Sequence, residues 1–265
     1  MSLENGGGLG SDDSMRGRDP LQPVPHPANP SEPNRNGPRW PSIARVLVGT
    51  GLIVAGALSF AGGSVMLISS VLTGMPRTDA AIFAIILLQL GTLAFTLLVA
   101  ASHGRIAPVL GMQPPCASRA VLVAVGLTAA AFLAISAILS VRVFPEQFAI
   151  DARAFVTMLR SDYAVLAVFA VLVGAPVTEE LAFRGFAFAG LVRAGLGAGW
   201  AFLISNTVWT ALHAGYSWLG LAEVFAAGLL LTVAYALTRS IFVPILIHAT
   251  YNTGALSLMF YVGLV

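Results

Sequence analysis

Residues 80–102 read AAIFAIILLQLGTLAFTLLVAAS, without one charged side chain. A helix rises about 1.5 Å per residue, so roughly 20 apolar residues cross the ~30 Å hydrocarbon layer of a bilayer. This run is long enough to cross. Two more charge-free runs of that kind lie at 46–72 and 120–141, and less clean ones follow near 163–177, 196–218, 221–238 and 241–264. The expectation is an all-α, polytopic transmembrane helix bundle of about seven spans.

Composition agrees. Of 265 residues, 57% are hydrophobic and 10% charged, against roughly a quarter charged in soluble domains. The lipid bilayer is therefore the first partner of the chain. All 14 basic residues are Arg, and they form no run that could follow a phosphate backbone, so no nucleic-acid partner is expected. The single cysteine, Cys116, cannot close a disulfide within the chain and has no neighbouring Cys or His for a metal pair.

Residues 1–42 are rich in Gly, Pro, Asn, Asp, Ser and Arg without apolar periodicity, a composition that favours a disordered tail. The first apolar run begins too far from the N-terminus for a cleaved signal and reads as a retained span. With the tail on the cytoplasmic side, Arg77, Arg142, Arg153 and Arg160 fall outside and the other ten of the 14 arginines inside, as the positive-inside rule prefers. The organisation expected is a cytoplasmic tail (1–42), N-terminal transmembrane helices (43–142), an external loop or interfacial helix (143–162) and a transmembrane core (163–265). The location is the cell membrane, crossed several times.

Ionisable side chains are costly at membrane depth, so each one inside an apolar run is a functional candidate. The C-terminal half supplies Glu179, Glu180, Arg184, His213 and His248. Glu180 and Arg184 stand four residues apart on one helix face, within pairing reach. Glu179 projects about 100° away and lacks that partner, which suits a general base in a dry site. A helix end anchored at the headgroups would display the same residues. Pro176 would free the carbonyl of residue 172 if a helix runs through it, or it could simply open a new helix. His213 follows Trp209 by four residues, and Asn252 follows His248 by four; each pair could serve helix packing alone. Taken together, three helices each bringing a reactive polar group into an apolar half point to one convergent site.

Two chemistries fit that set. Glu179, His213 and His248 could ligate zinc from three segments, although no His-Glu-x-x-His motif is present. Alternatively, Glu179 activates a water without metal while the histidines and the Asn252 amide orient water or donate to an oxyanion. The metal-free version is preferred because Asn suits a donor better than a ligand, so no cofactor is required. No Gly-x-Ser-x-Gly elbow supports a serine nucleophile.

At these residues the chain resembles the CAAX-processing and bacteriocin-processing (CPBP) intramembrane endopeptidases, the CAAX prenyl protease or abortive-infection type, over roughly 160–260. Their Glu-Glu-x-x-x-Arg motif is met by Glu179, Glu180 and Arg184, and their His-x-x-x-Asn motif by His248 and Asn252. Their Phe-x-x-x-His motif falls on Trp209 and His213. Trp in place of Phe is expected to alter the cavity wall more than the chemistry. The resemblance implies a membrane hydrolase with Glu179, His213, His248 and Asn252 around a catalytic water and Glu180, Arg184 and Trp209 in support. It leaves metalloprotease and metal-free glutamate chemistry both open. Its substrates would be membrane-associated peptides or proteins, prenylated tails in eukaryotic members and peptides linked to processing and self-immunity in bacterial ones. A non-enzymatic scaffold or bacteriocin-immunity protein of the same fold is the alternative. A proton-coupled transporter would use the same Glu and His residues as a relay, but no pair of broken helices in related halves supports one.

Overall fold

The computed structural model describes residues 42–71 and 74–264, and the expected tail up to residue 41 lies outside them. Among the described residues every regular element is helical: α1 (Ile43–Val71), α2 (Arg77–His103), α3 (Ile106–Leu110), α4 (Arg119–Val143), α5 (Pro145–Leu159), α6 (Ala164–Arg193), α7 (Ala198–Ala211), α8 (Trp218–Thr238) and α9 (Phe242–Tyr261). Polar residues start several of them. Ser42 Oγ accepts the Arg45 amide at 3.3 Å, Ser118 Oγ the Val121 amide at 3.3 Å, and Ser217 Oγ the Gly220 amide at 3.1 Å, each relieving one of the unpaired N–H groups of a first helical turn.

Each of the seven expected runs corresponds to a helix, and five of these helices are long and apolar enough to cross a bilayer: α1, α2, α4, α6 and α8. The other two fall short for different reasons. Helix α7 has 14 residues, only about 21 Å of rise. Helix α9 has 20, but His248, Thr250, Tyr251, Asn252, Thr253 and Ser257 dilute its apolar character. The run expected at 163–177 is part of the 30-residue helix α6, which continues through the charged cluster, where Glu180 is paired with Arg184. The connection expected as an external loop or interfacial helix contains helix α5, with Pro145 at its first position, where a missing N–H costs nothing.

The outward faces are aliphatic. Leu98, Leu127, Val165 and Leu246 are among the most exposed large side chains, the arrangement expected where hydrocarbon is the solvent. Between α1 and α2, a Cβ added to Gly91 would stand 3.2 Å from the Ala57 Cα, so the small residue lets two backbones approach closely. The buried core surrounds the middle of α6, where all residues from Leu181 to Phe188 are buried.

Two stretches of α6, Ala170–Gly174 and Leu181–Phe188, are wound as π-helix. The segment before α4 is stitched to the α8–α9 turn. Cys116 N donates to Thr238 O at 2.8 Å, Ile241 N to Gly111 O at 3.0 Å and Gln113 Nε2 to Arg239 O at 2.7 Å. Arg239 adopts the left-handed region with φ 51°, uncommon for a residue with a Cβ, and these bonds hold it there. The N-terminal helices and the core are thus joined at the turn that sets where α9 begins.

Candidate active site

The chemistry-bearing residues of α6 lie on the six-residue α-helical segment Ala175–Glu180, between its two π-wound stretches. The first stretch follows from Pro176. Ala175 N–H bonds to Ala170 O, five residues back, and in that register the carbonyl facing the missing proline N–H belongs to Val171, not to residue 172 as expected from α-helical spacing. Asn252 supplies the absent donor: its Nδ2 reaches Val171 O at 2.8 Å. Gln89 Nε2 donates to Ala170 O at 2.9 Å. Gly174 makes room for that approach, since a Cβ there would collide with the Gln89 amide. Helices α2 and α9 are therefore fastened to α6 through freed or shared backbone carbonyls.

This geometry predicts a pairwise rescue. Asn252→Ala should lower stability by about 1–3 kcal/mol because it strands a carbonyl away from water. Pro176→Ala in the same chain restores a backbone N–H beside that carbonyl and should recover most of the loss. Thermal unfolding of the single and double variants in detergent checks this; a double variant no more stable than Asn252→Ala would contradict the account.

Glu180 is fully buried. Its Oε1 accepts from Arg184 Nη1 at 3.0 Å and from His248 Nδ1 at 2.9 Å. The i,i+4 pairing of Glu180 with Arg184 matches the expectation from spacing. The guanidinium is also buried, sends Nη2 to Gly228 O at 3.5 Å and stacks 4.1 Å over the Trp209 ring, a cation–π contact. Glu179 turns away from this pair, and its Oε2 accepts from Trp209 Nε1 at 2.7 Å. The expectation that Trp209 alters the cavity wall more than the chemistry left out one contact: its indole N–H holds a carboxylate where a Phe ring could not.

His213 lies in the turn that follows α7, not within a span, because α7 ends at Ala211. Its Nδ1 stands 3.0 Å from Trp209 O. A carbonyl only accepts, so Nδ1 carries the proton, and Nε2 is the atom the ring offers elsewhere. His248 is arranged alike, with Nδ1 committed to a carboxylate. The indole of Trp209 is the hub, its ring centroid 5.2 Å from that of His213 and 5.9 Å from that of His248.

Glu179, Trp209, His213, His248 and Asn252 all line one cavity of about 790 Å³, with largely aliphatic walls drawn from α1, α2, α4 and α9. Glu180 and Arg184 stand behind it and orient His248. Such a cavity, apolar with a few convergent polar groups, has the usual form of a ligand site. Among the described residues no three His, Cys, Asp or Glu side chains, Glu179, His213 and His248 included, gather in ligating positions.

Four other titratable residues on the cavity wall were not expected: Glu223, Asp151, Tyr216 and Tyr251. Glu223 lies inside an apolar run and is legible by the rule that singled out the others. Asp151 accepts from Ser217 N at 2.5 Å and Ser217 Oγ at 2.7 Å, which ties α5 to the start of α8. The Tyr216 phenol is pushed above its ordinary range by burial, with the charges of Glu179 and Asp151 acting the same way; it remains an O–H donor.

Residues 161–254 match the family model described as type II CAAX prenyl endopeptidase Rce1-like. No curated protein and no solved structure matches the chain. The matched segment begins just before α6 and ends within α9, so it takes in Glu179, Glu180, Arg184, Trp209, His213, His248 and Asn252. It implies a membrane peptidase.

Proposed function

We propose that this chain, whose residues 161–254 match the type II CAAX prenyl endopeptidase Rce1-like model, is a CPBP-type intramembrane endopeptidase driven by a Glu179-activated water. One observation carries the reading: a carboxylate paired with no cation among the described residues shares a largely apolar cavity with two imidazoles whose Nδ1 atoms are already committed.

In the proposed reaction Glu179 takes a proton from water as the water oxygen bonds to a peptide carbonyl carbon. The carbonyl electrons move onto oxygen. The resulting oxyanion accepts from the second amide hydrogen of Asn252, the first being spent on Val171, while Nε2 of His213 and His248 accepts from and orients the water, and donates to the oxyanion only from an imidazolium. Collapse breaks the C–N bond, and the Glu179 carboxyl returns its proton to the leaving amine. Glu180 and Arg184 act through His248, fixing its ring, and Trp209 fixes Glu179. No step requires a metal.

The remaining assignments support this scheme. Residues 163–265 form the catalytic core, 43–142 supply part of the apolar wall, and 143–162 lie at the external interface. The arginine distribution puts the N-terminus in the cytoplasm, and substrates are membrane-associated peptides or proteins. The test is proteolysis of membrane peptides by the purified chain in liposomes, with Glu179→Ala in parallel. Turnover in wild type alone, persisting with chelator, is the expected result. Equal inactivity of both proteins would favour a non-enzymatic scaffold or immunity role.

A further inference from the structure

Glu223 has no part in the hydrolysis proposed above. It lies on α8, one of the five helices long and apolar enough to cross a bilayer, where an ionised side chain is costly. Three hydroxyls attend it. Ser140 Oγ donates to Oε1 at 3.2 Å, Tyr251 O–H donates to Oε2 at 3.2 Å, and Ser136 Oγ stands 3.4 Å from the Tyr251 oxygen. Both carboxylate oxygens thus receive O–H donors, the pattern that suits an ionised acceptor. Among the described residues, those lining the cavity that Glu223 faces include no Arg and no Lys.

A structural tie between α4, α8 and α9 would explain the hydroxyls but not the charge. Gln has the same reach, would bond to the same residues and would avoid the cost of a half-buried ion. A half-buried carboxylate on a largely apolar cavity wall, with no cation among the described lining residues, is suited to receive one from outside through a charge-assisted hydrogen bond. Beside it the Phe132 and Tyr251 rings lie 5.8 Å apart, and their faces favour the same guest.

We infer that Glu223, Tyr251 and Ser140 form a second subsite of the cavity, which takes the ammonium or guanidinium group of a Lys or Arg side chain in an otherwise apolar bound segment. Calling that segment a substrate rests on the peptidase reading; the binding preference does not. Tyr251 follows His248 by three residues, about 4.5 Å along the helix, so one bound stretch can reach both places.

The test measures binding, not cleavage. Fluorescent apolar peptides of one length, carrying a single Lys, norleucine or Glu at the same position, are titrated against the full chain in detergent. Wild type should bind the Lys peptide at least about tenfold tighter than its norleucine twin. Glu223→Gln should remove that preference without changing affinity for the norleucine peptide, and Glu223→Arg should favour the Glu peptide. Equal wild-type affinity for the Lys and norleucine peptides overturns the inference whether or not the variants fold. So does a Lys preference that survives in Glu223→Gln. Absence of cleavage, with the Lys preference intact, would count against the peptidase reading and leave this subsite standing.

Discussion

Glu179→Gln is expected to lower peptide hydrolysis by a factor on the order of 10² to 10⁴ while leaving substrate affinity nearly unchanged. The amide keeps the size of the side chain and can still meet the Trp209 indole N–H through its oxygen, but it cannot take a proton from water. Single-turnover rates and peptide affinity, measured on the same preparations, separate the two effects. Near wild-type turnover in this variant would remove the general-base assignment and most of the mechanism with it.

Arg184→Ala is expected to reduce stability by about 3–5 kcal/mol, the usual consequence of stranding one member of a buried ion pair. Glu180 would remain fully buried with only His248 as a partner, and Trp209 would lose the cation stacked on its ring. Folded yield after extraction should therefore fall along with activity. Replacing both members of the pair, as Glu180→Leu with Arg184→Met, should cost less stability than Arg184→Ala alone, although His248 then loses its anchor and activity should stay low. Thermal unfolding in detergent orders the variants, and normal stability of Arg184→Ala would show that the pair is not structural.

The local part of this architecture was readable from the chain, and the tertiary part was not. Glu180 and Arg184 lie on one helix face, so their spacing alone predicted the pair. That the same Glu180 oxygen also receives His248, 68 residues away, depends on how α9 packs against α6. Charge-free runs located the N-terminal helices well but cut the fourth run short at 177, because a charge count cannot tell an exposed ion from one neutralised four residues on. The Trp209 contact was missed for a similar reason: treating the residue as another aromatic overlooked its one polar atom, the atom that meets Glu179. Pro176 marked the right place with the wrong carbonyl, since sequence does not reveal whether a turn is wound in the α or the π register. Glu223 needed no structure at all, only the same scrutiny given to the histidines.

The π-wound turns of α6 also govern which lengths of this segment can occur. A π turn accommodates one residue more than an α turn in the same rise, so Ala170–Gly174 holds a spare residue that an unbroken α-helix would lack. A single-residue deletion there can close the turn into α-helix while Val165 and Phe169 on one side and Glu179 and Glu180 on the other keep their facing. The same deletion in an α-wound stretch would rotate everything on one side of it by about 100° relative to the other. Single-residue deletions within 170–174 should thus be less damaging than those within the α-wound turns on either side. When this chain is aligned with relatives that lack the widened turn, a one-residue gap at 170–174 keeps the two glutamates in register.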